Sequence, residues 1–331
     1  MRREQCIDGP KVVVIGGGTG LSTMLRGLKE ENCSITAIVT VGDDGGGSGA
    51  LREDLGMLPP GDVRNCILAL ADAEPAIKDL LNYRFKDGRL KGQNFGNLFL
   101  AAMNGISINF QDAVQKMSSI LAVRGTVLPV TLDYMELEAE LENGNIIRGE
   151  SNIPEEAIKQ NSRIKEFRII PEEADAVCEA ISAIEEADAI ILGPGSLYTS
   201  VLPNILVKDI KKALEYSKAP KIYICNVMTQ PGETTGFTVS DHIKELIKYG
   251  GENSVNTVIA NVGIIEDILI ERYKAKNSEL VKLDREEVEK MNIEIVEADI
   301  VEVKYNYIRH DAKTLSELII KTIIEKQWNI E

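Results

Sequence analysis

Aromatic residues make up only 5% of the 331 positions, and the chain holds two histidines, His242 and His310, and a single tryptophan. Two histidines cannot furnish a histidine-rich zinc centre. The five cysteines (Cys6, Cys33, Cys66, Cys178, Cys225) are odd in number, far apart and without a CxxC pair. That pattern excludes a disulfide scaffold and indicates a reducing cytoplasm. Cys225 ends the apolar run KIYIC and Cys178 lies in a helical pattern, so both read as small core residues. No apolar run approaches the roughly 20 residues of a membrane helix. MRREQCIDGPKVVVIGG has no apolar stretch ahead of its first strand, so neither membrane insertion nor a signal peptide is expected. Basic residues are outnumbered 37 to 52, a formal charge of −15. The clustered Lys and Arg needed on nucleic acid or anionic membranes are missing.

What is present is ordinary for a globular protein, with 44% hydrophobic and 27% charged residues. KVVVI (Lys11–Ile15) reads as a buried strand stopped by glycines. A helix follows with Leu21, Met24, Leu25 and Leu28 on one face, then the strand SITAIVTV. From about Asp62 to Leu121 only helical patterns occur. Residues 125–150 alternate around an Asn-Gly pair, a hairpin signal, and read as an antiparallel insertion or sheet extension. FRIIP, a helix through Ala174–Glu186 and ADAIILGPGS resume α/β alternation. KIYICN and TVIANV add strands, IVEADIVEV is one further strand candidate, and DAKTLSELIIKTIIEKQW closes as an amphipathic helix. The expected architecture is one α/β domain over residues 1–331: a Rossmann-like, doubly wound, mainly parallel sheet with a hairpin insertion and added helices.

Three connections leave buried strands at their carboxyl ends. In GGGTG, Gly17, Gly18, Thr19 and Gly20 open a helix; glycine permits positive φ and close approach of a ligand to the backbone. The helix N-terminus there offers free N–H groups to an anion such as phosphate. GPGSLYTSVLPN repeats the arrangement: Gly193 and Gly195 bracket Pro194, while Ser196, Tyr198, Thr199 and Ser200 supply hydroxyls ahead of Asn204. ICNVMTQPGET places Asn226, Thr229 and Gln230 after a third strand. Three such loops point to one binding crevice at the strand ends. The dinucleotide fingerprint GxGxxG fails at Leu21, and no ribose-binding acid closes the second strand, which argues against an NAD-dependent oxidoreductase.

The stretch TVGDDGGGSGALREDLGMLPPGDVRN (Thr40–Asn65) sends Asp43 and Asp44 into the same crevice. Carboxylates repel phosphate unless Mg²⁺ bridges them or they accept from sugar hydroxyls; plain turn chemistry suffices for one of the pair. Asp62 reads as the N-cap of the next helix, and Arg64 as a partner for phosphate or carboxylate. Asn65 and Asn97 read as neutral polar contacts or helix caps. His242 falls on a helical pattern among polar neighbours, and His310 precedes a helix start where exposure is expected. No Cys–His or Ser–His constellation appears.

Taken together, GGGTGLS, TVGDDGGGSG, PPGDVRN, GNLFLAA, GPGSLYTSVLPN, NVMTQPGET and HDAKTLSELI resemble one family, in order from near residue 11 to near 320. It is the gluconeogenesis-factor or YvcK-like group, classed with the 2-phospho-L-lactate transferases; SLYTSVLPN and MTQPGET resemble the gluconeogenesis-factor branch. The resemblance implies a Rossmann-like cytoplasmic protein that binds a UDP-sugar or other nucleotide diphosphate and serves cell shape and wall synthesis on gluconeogenic carbon sources. The transferase branch would instead use Mg²⁺ and move a group from a nucleotide-activated donor to a deazaflavin, whose aromatic-lined slot has few candidates here. Carried over, the GGGTG and GPGSLYTS loops hold the diphosphate. Asp43 and Asp44 are metal candidates, and Asp43 with Asp62 catalytic ones if chemistry occurs. Gln93 stands where the pattern has His, and Gly47 where it has Ser. A regulator without turnover is preferred to a transferase; a homo-oligomer is compatible with the sequence but not specified by it.

Overall fold

The computed structural model describes residues 9–304 and 306–328. From its start, β1 (Lys11–Gly16) leads through α1 (Gly18–Leu28) to β2 (Ser34–Val39), and five helices follow: α2 (Gly46–Leu55), α3 (Gly61–Leu70), α4 (Pro75–Asn82), α5 (Phe95–Gly105) and α6 (Phe110–Ile120). Next come β3 (Thr126–Pro129), the hairpin β4 (Glu136–Leu141) and β5 (Ile146–Arg148), α7 (Asn152–Lys159), β6 (Ile164–Ile170), α8 (Cys178–Glu185) and β7 (Ala189–Leu192). A π-helical turn at Leu197–Val201 runs into α9 (Leu202–Leu206), α10 (Lys208–Tyr216), β8 (Lys221–Ile224), α11 (Val239–Gly250) and β9 (Thr257–Asn261). The chain closes with α12 (Asp267–Lys274), α13 (Arg285–Lys290), β10 (Glu294–Ala298), β11 (Val301–Lys304), β12 (Tyr307–His310) and α14 (Ala312–Trp328).

Seven strands form one parallel sheet in the order β10-β9-β8-β7-β1-β2-β3. Helices cover both faces, so the strands are apolar throughout: Val12, Val14 and Ile15 are wholly buried, as are all four residues of β7. Leu21, Met24, Leu25 and Leu28 of α1 are all fully buried, as their spacing predicts. A Cβ at Gly27 would collide with the Ala312 carbonyl, so glycine there lets α1 and α14 meet. From β1 the chain steps outward to β2 and β3, then returns to lay β7, β8, β9 and β10 on the other side. The order therefore reverses between β1 and β7, and a crevice opens at the carboxyl ends of those two strands.

The expected α/β class, parallel sheet and hairpin are all present, with several differences in detail. Thr126–Pro129 belongs to the main sheet as its edge strand, where Pro129 sacrifices no ladder bond. FRIIP lies in β6, which pairs antiparallel with β4 in a three-stranded sheet, β5-β4-β6, and not in the main sheet. IVEADIVEV is two strands: β10 ends the main sheet, whereas β11 turns back onto β12 as a second hairpin. That hairpin and α12 share a small core of Val227, Ile265, Leu269 and Ile308. The helix expected over Ala174–Glu186 begins only at Cys178, which is exposed because α8 buries Ala180 and Ile184 instead. Cys225 is buried as expected, and Cys6 lies outside the described residues. Among the described residues no helix is long and apolar enough to cross a membrane.

Candidate functional site

A cleft of about 400 Å³ occupies the switch point. Gly18, Thr19 and Gly20 line it from the first loop, Pro194, Gly195 and Ser196 from the second, and Asn226 and Thr229 from the third. The three loops are tied to one another. Asn226 Nδ2 donates to the Gly195 carbonyl (2.8 Å), and Gln230 Nε2 donates to Ser196 Oγ. Gly20 is needed for close packing of loop on loop, since a Cβ there would stand 2.7 Å from the Pro194 carbonyl oxygen. Gly18, at φ +70°, and Gly193, at φ +76°, take a left-handed backbone that favours glycine.

Both helix starts facing the cleft already hold carboxylates of the chain. Asp62 Oδ2 accepts from the Gly18 N–H (2.7 Å), the first donor of α1. It thus caps α1, not its own helix, whose N-cap is Pro60. Behind the second loop, buried Glu233 is near the Tyr198 and Thr199 N–H groups and the Ser196 and Thr199 hydroxyls, which oppose but do not offset the burial that raises its carboxyl to about 7, and its Oε2 has no hydrogen-bond partner. Tyr198, Thr199 and Asn204 are consequently carried into the interior. Asn204 Nδ2 donates to the Ser200 (2.8 Å) and Gly16 (3.2 Å) carbonyls, so it holds the loop from beneath.

Asp43 and Asp44 diverge. Asp43 Oδ1 accepts from the Gly45 N–H (2.9 Å), and its other oxygen lies over Gly61, where a Cβ would stand 2.6 Å away. Asp62 is close enough for the two charges to interact: burial first, then Asp43, raises the Asp62 carboxyl to about 6. Glu150, just beyond β5, stands beside Asp43. Burial, then Asp43 and Asp62, hold it far above the ordinary carboxylate range. Asp44 faces the other way, accepting from the Ser151 N–H (3.0 Å). Arg64 is buried and spans the Leu81 carbonyl (3.3 Å), Asn94 Oδ1 (2.9 Å) and Asn65 Oδ1 (2.6 Å). Asn97 donates to Ser48 Oγ (3.4 Å) on the Asp43 side, and neither it nor Asn65 lines the cleft. Gly47 and Gln93, the two departures from the expected pattern, face each other: a Cβ on Gly47 would stand 2.9 Å from Gln93 Oε1.

Sequence reasoning missed the far wall. Tyr273, Ser278, Arg309 and His310 line the cleft opposite the glycine loops. No carboxylate pairs with Arg309 among the described residues; its guanidinium lies 5.2 Å from the Tyr307 ring centre. His310, expected to be exposed, is half-buried with Nε2 3.3 Å from the Cys225 carbonyl, and burial lowers it to about 4. His242 lies on α11 as its pattern suggests but is fully buried, with Nδ1 2.8 Å from the Thr238 carbonyl. The usable signal was the alternation VEVK…YIRH around Asn306, a hairpin pattern that delivers Arg309 and His310 to a strand end.

The model of the family 2-phospho-L-lactate transferase CofD matches residues 12–301. A Thermoanaerobacterium thermosulfurigenes protein provisionally named a gluconeogenesis factor is 57% identical over 320 residues, 97% of this chain and 99% of that protein. A Clostridium acetobutylicum protein with the same provisional name is 59% identical over 321 residues, 97% of this chain and 71% of its own. The Bacillus subtilis gluconeogenesis factor is 46% identical over 317 residues, covering 96% of this chain and 99% of that one. A crystal structure of a Bacillus halodurans protein superposes with a TM-score of 0.91 at 43% identity, over 94% of this chain and 99% of that one. Motif order, fold and identity along nearly the whole length agree: the chain belongs to the CofD family and stands within it among the gluconeogenesis factors.

Proposed function

We propose that this protein binds a nucleotide diphosphate, specifically a UDP-sugar, in the switch-point cleft, and acts in the cytoplasm as a non-catalytic regulator of cell shape and wall synthesis during gluconeogenic growth. One observation carries the binding: the chain is strongly acidic, yet among the described residues no Asp or Glu lines this cleft, while Arg309 does. A diphosphate meets one guanidinium, the free N–H groups of α1 beyond Gly18, whose own N–H is taken by Asp62, and the Ser196 hydroxyl. The link to gluconeogenic growth is supported by the names of the relatives. Turnover is disfavoured by His310, the one imidazole in the lining, because at a pKa of about 4 it is a weak base at neutral pH.

A second reading, an Mg²⁺-dependent transferase, is favoured by Asp43, Asp62 and Glu150 at the mouth of the first loop. Among the described residues no three His, Cys, Asp or Glu side chains form a metal-holding group. Mg²⁺ is, however, commonly held by one or two carboxylates completed by ligand phosphates, and Asp43 with Asp62 fits such a partial set. Bound there, the ion would neutralise phosphate charge; Glu150 would keep a proton beside Asp43 or yield its place.

Calorimetric titration with UDP-N-acetylglucosamine, GDP and NAD, in Mg²⁺ and then in EDTA, tests both readings. The regulator binds the UDP-sugar in either buffer and returns it intact, and Arg309→Glu weakens binding roughly tenfold or more. Binding confined to Mg²⁺, or product formation abolished by Asp43→Asn, would establish the transferase instead.

A further inference from the structure

On the other side of the Asp43–Asp44 turn lies a second cleft of about 310 Å³, between α2 and the β4–β5 hairpin. Arg52 lines it and is only 5% exposed, yet among the described residues it has no carboxylate partner and one hydrogen bond, from Nη2 to the Met135 carbonyl (2.6 Å). Its Nε is buried without any partner and closed to solvent, so Nη1, which also makes no hydrogen bond, is the nitrogen left to the cleft. A guanidinium taken out of water without a counter-charge is costly, and an acceptor from elsewhere would complete it. Its guanidinium also lies over the Tyr134 ring, with the ring centre 3.8 Å from its central carbon.

The remaining walls decide what that acceptor belongs to. Asp44, Glu53 and Glu136 also line this cleft, and Glu53 and Glu136 have no ion-pair partner among the described residues. Arg148 is already committed to Glu138 at 2.6 Å. An anion that satisfied Arg52 would therefore meet three carboxylates. A cation that satisfied those would leave Arg52 unpaired. A hydroxyl can accept from the guanidinium and donate to a carboxylate, and Tyr134, 57% exposed, offers an apolar edge to C–H groups.

We propose that this second cleft binds a neutral, hydroxyl-rich small molecule, a sugar or polyol, between Arg52, Tyr134 and the carboxylates of Asp44, Glu53 and Glu136. The site is separate from the nucleotide cleft and stands whether or not a nucleotide binds there. Saturation-transfer NMR of the full chain with glucose and myo-inositol, against glucose 6-phosphate and spermidine as charged comparators, tests it. Both neutral probes are expected to receive saturation, and Tyr134→Ala and the exposed Glu53→Gln are each expected to weaken the signal roughly fivefold or more, with unchanged melting temperature. Excess UDP is expected to leave the signal intact. The proposal is overturned by charged comparators that bind as well as the neutral probes, by no saturation at all, by variants that match the parent, or by displacement with UDP.

Discussion

Asp62 places a carboxylate where the first helix would otherwise present a free donor to a ligand. Beside Asp43, Asp62 and Glu150 are carboxyls in which burial and the neighbouring negative charge both favour the protonated form. The raised pKa fixes the sign of the pH dependence. The native state binds more protons than the unfolded chain above the ordinary carboxylate range, so stability from these groups is full below about 4 and is lost as pH rises. Asp62, moved from 3.8 to about 6, contributes a loss of roughly 3 kcal/mol by neutral pH. Glu150 extends the loss to higher pH. Glu150→Gln is therefore expected to melt several degrees above the parent at pH 8, with the gap closing towards pH 5; thermal melts across that range decide it, and a constant offset would rule it out. At this scale Asp43, Asp62 and the glycines could be singled out from sequence, because turn chemistry and charge density are local. Glu150 could not, because only the pairing of β4 with β5 brings the end of the hairpin to the aspartates.

Glycine loops read alike in sequence whether they approach a ligand or another backbone. Here they do both: Gly18 lines the cleft at positive φ, whereas Gly20 admits the Pro194 carbonyl. A methyl group at Gly20 meets backbone atoms 2.7 and 3.0 Å away that cannot rotate aside. Gly20→Ala is accordingly expected to cost roughly 1–3 kcal/mol, read as a fall in the denaturation midpoint. An unchanged midpoint would mean that the loops separate freely. The same ambiguity explains what was misplaced among the elements. The main-sheet strands were legible because burial on both faces leaves an unbroken apolar run. FRIIP has the same composition, yet it pairs with β4, since apolar content does not record which sheet a strand joins. Asp62 was read as a cap on its own helix and proved to be one on another, which no local pattern encodes.

For the molecule as a whole, the position of the cleft follows from strand order. The reversal between β1 and β7 gathers three loops from distant parts of the chain, and the late hairpin β11–β12 closes the wall opposite them. Sequence reading located the loop side, because glycine and strand ends are explicit there. It lost the hairpin side, because Arg309 and His310 look like residues ahead of a helix until the turn at Asn306 is seen.

If the proposed diphosphate binds here, a cleft whose described lining holds no carboxylate, set in a chain of net charge −15, also governs the speed of binding. The distant field of the protein repels an approaching diphosphate, while the contact it finally makes is attractive. Raising ionic strength from about 0.01 to 0.1 M shortens the screening length from about 30 to 10 Å, which removes the repulsion before it touches the contact. Stopped-flow mixing with a fluorescent nucleotide diphosphate should therefore show association quickening as salt is added, the reverse of an electrostatically steered encounter. Slowing would mean that Arg309 dominates at long range as well. Such a binding protein would respond sluggishly in dilute buffer and promptly at the ionic strength of a cell interior.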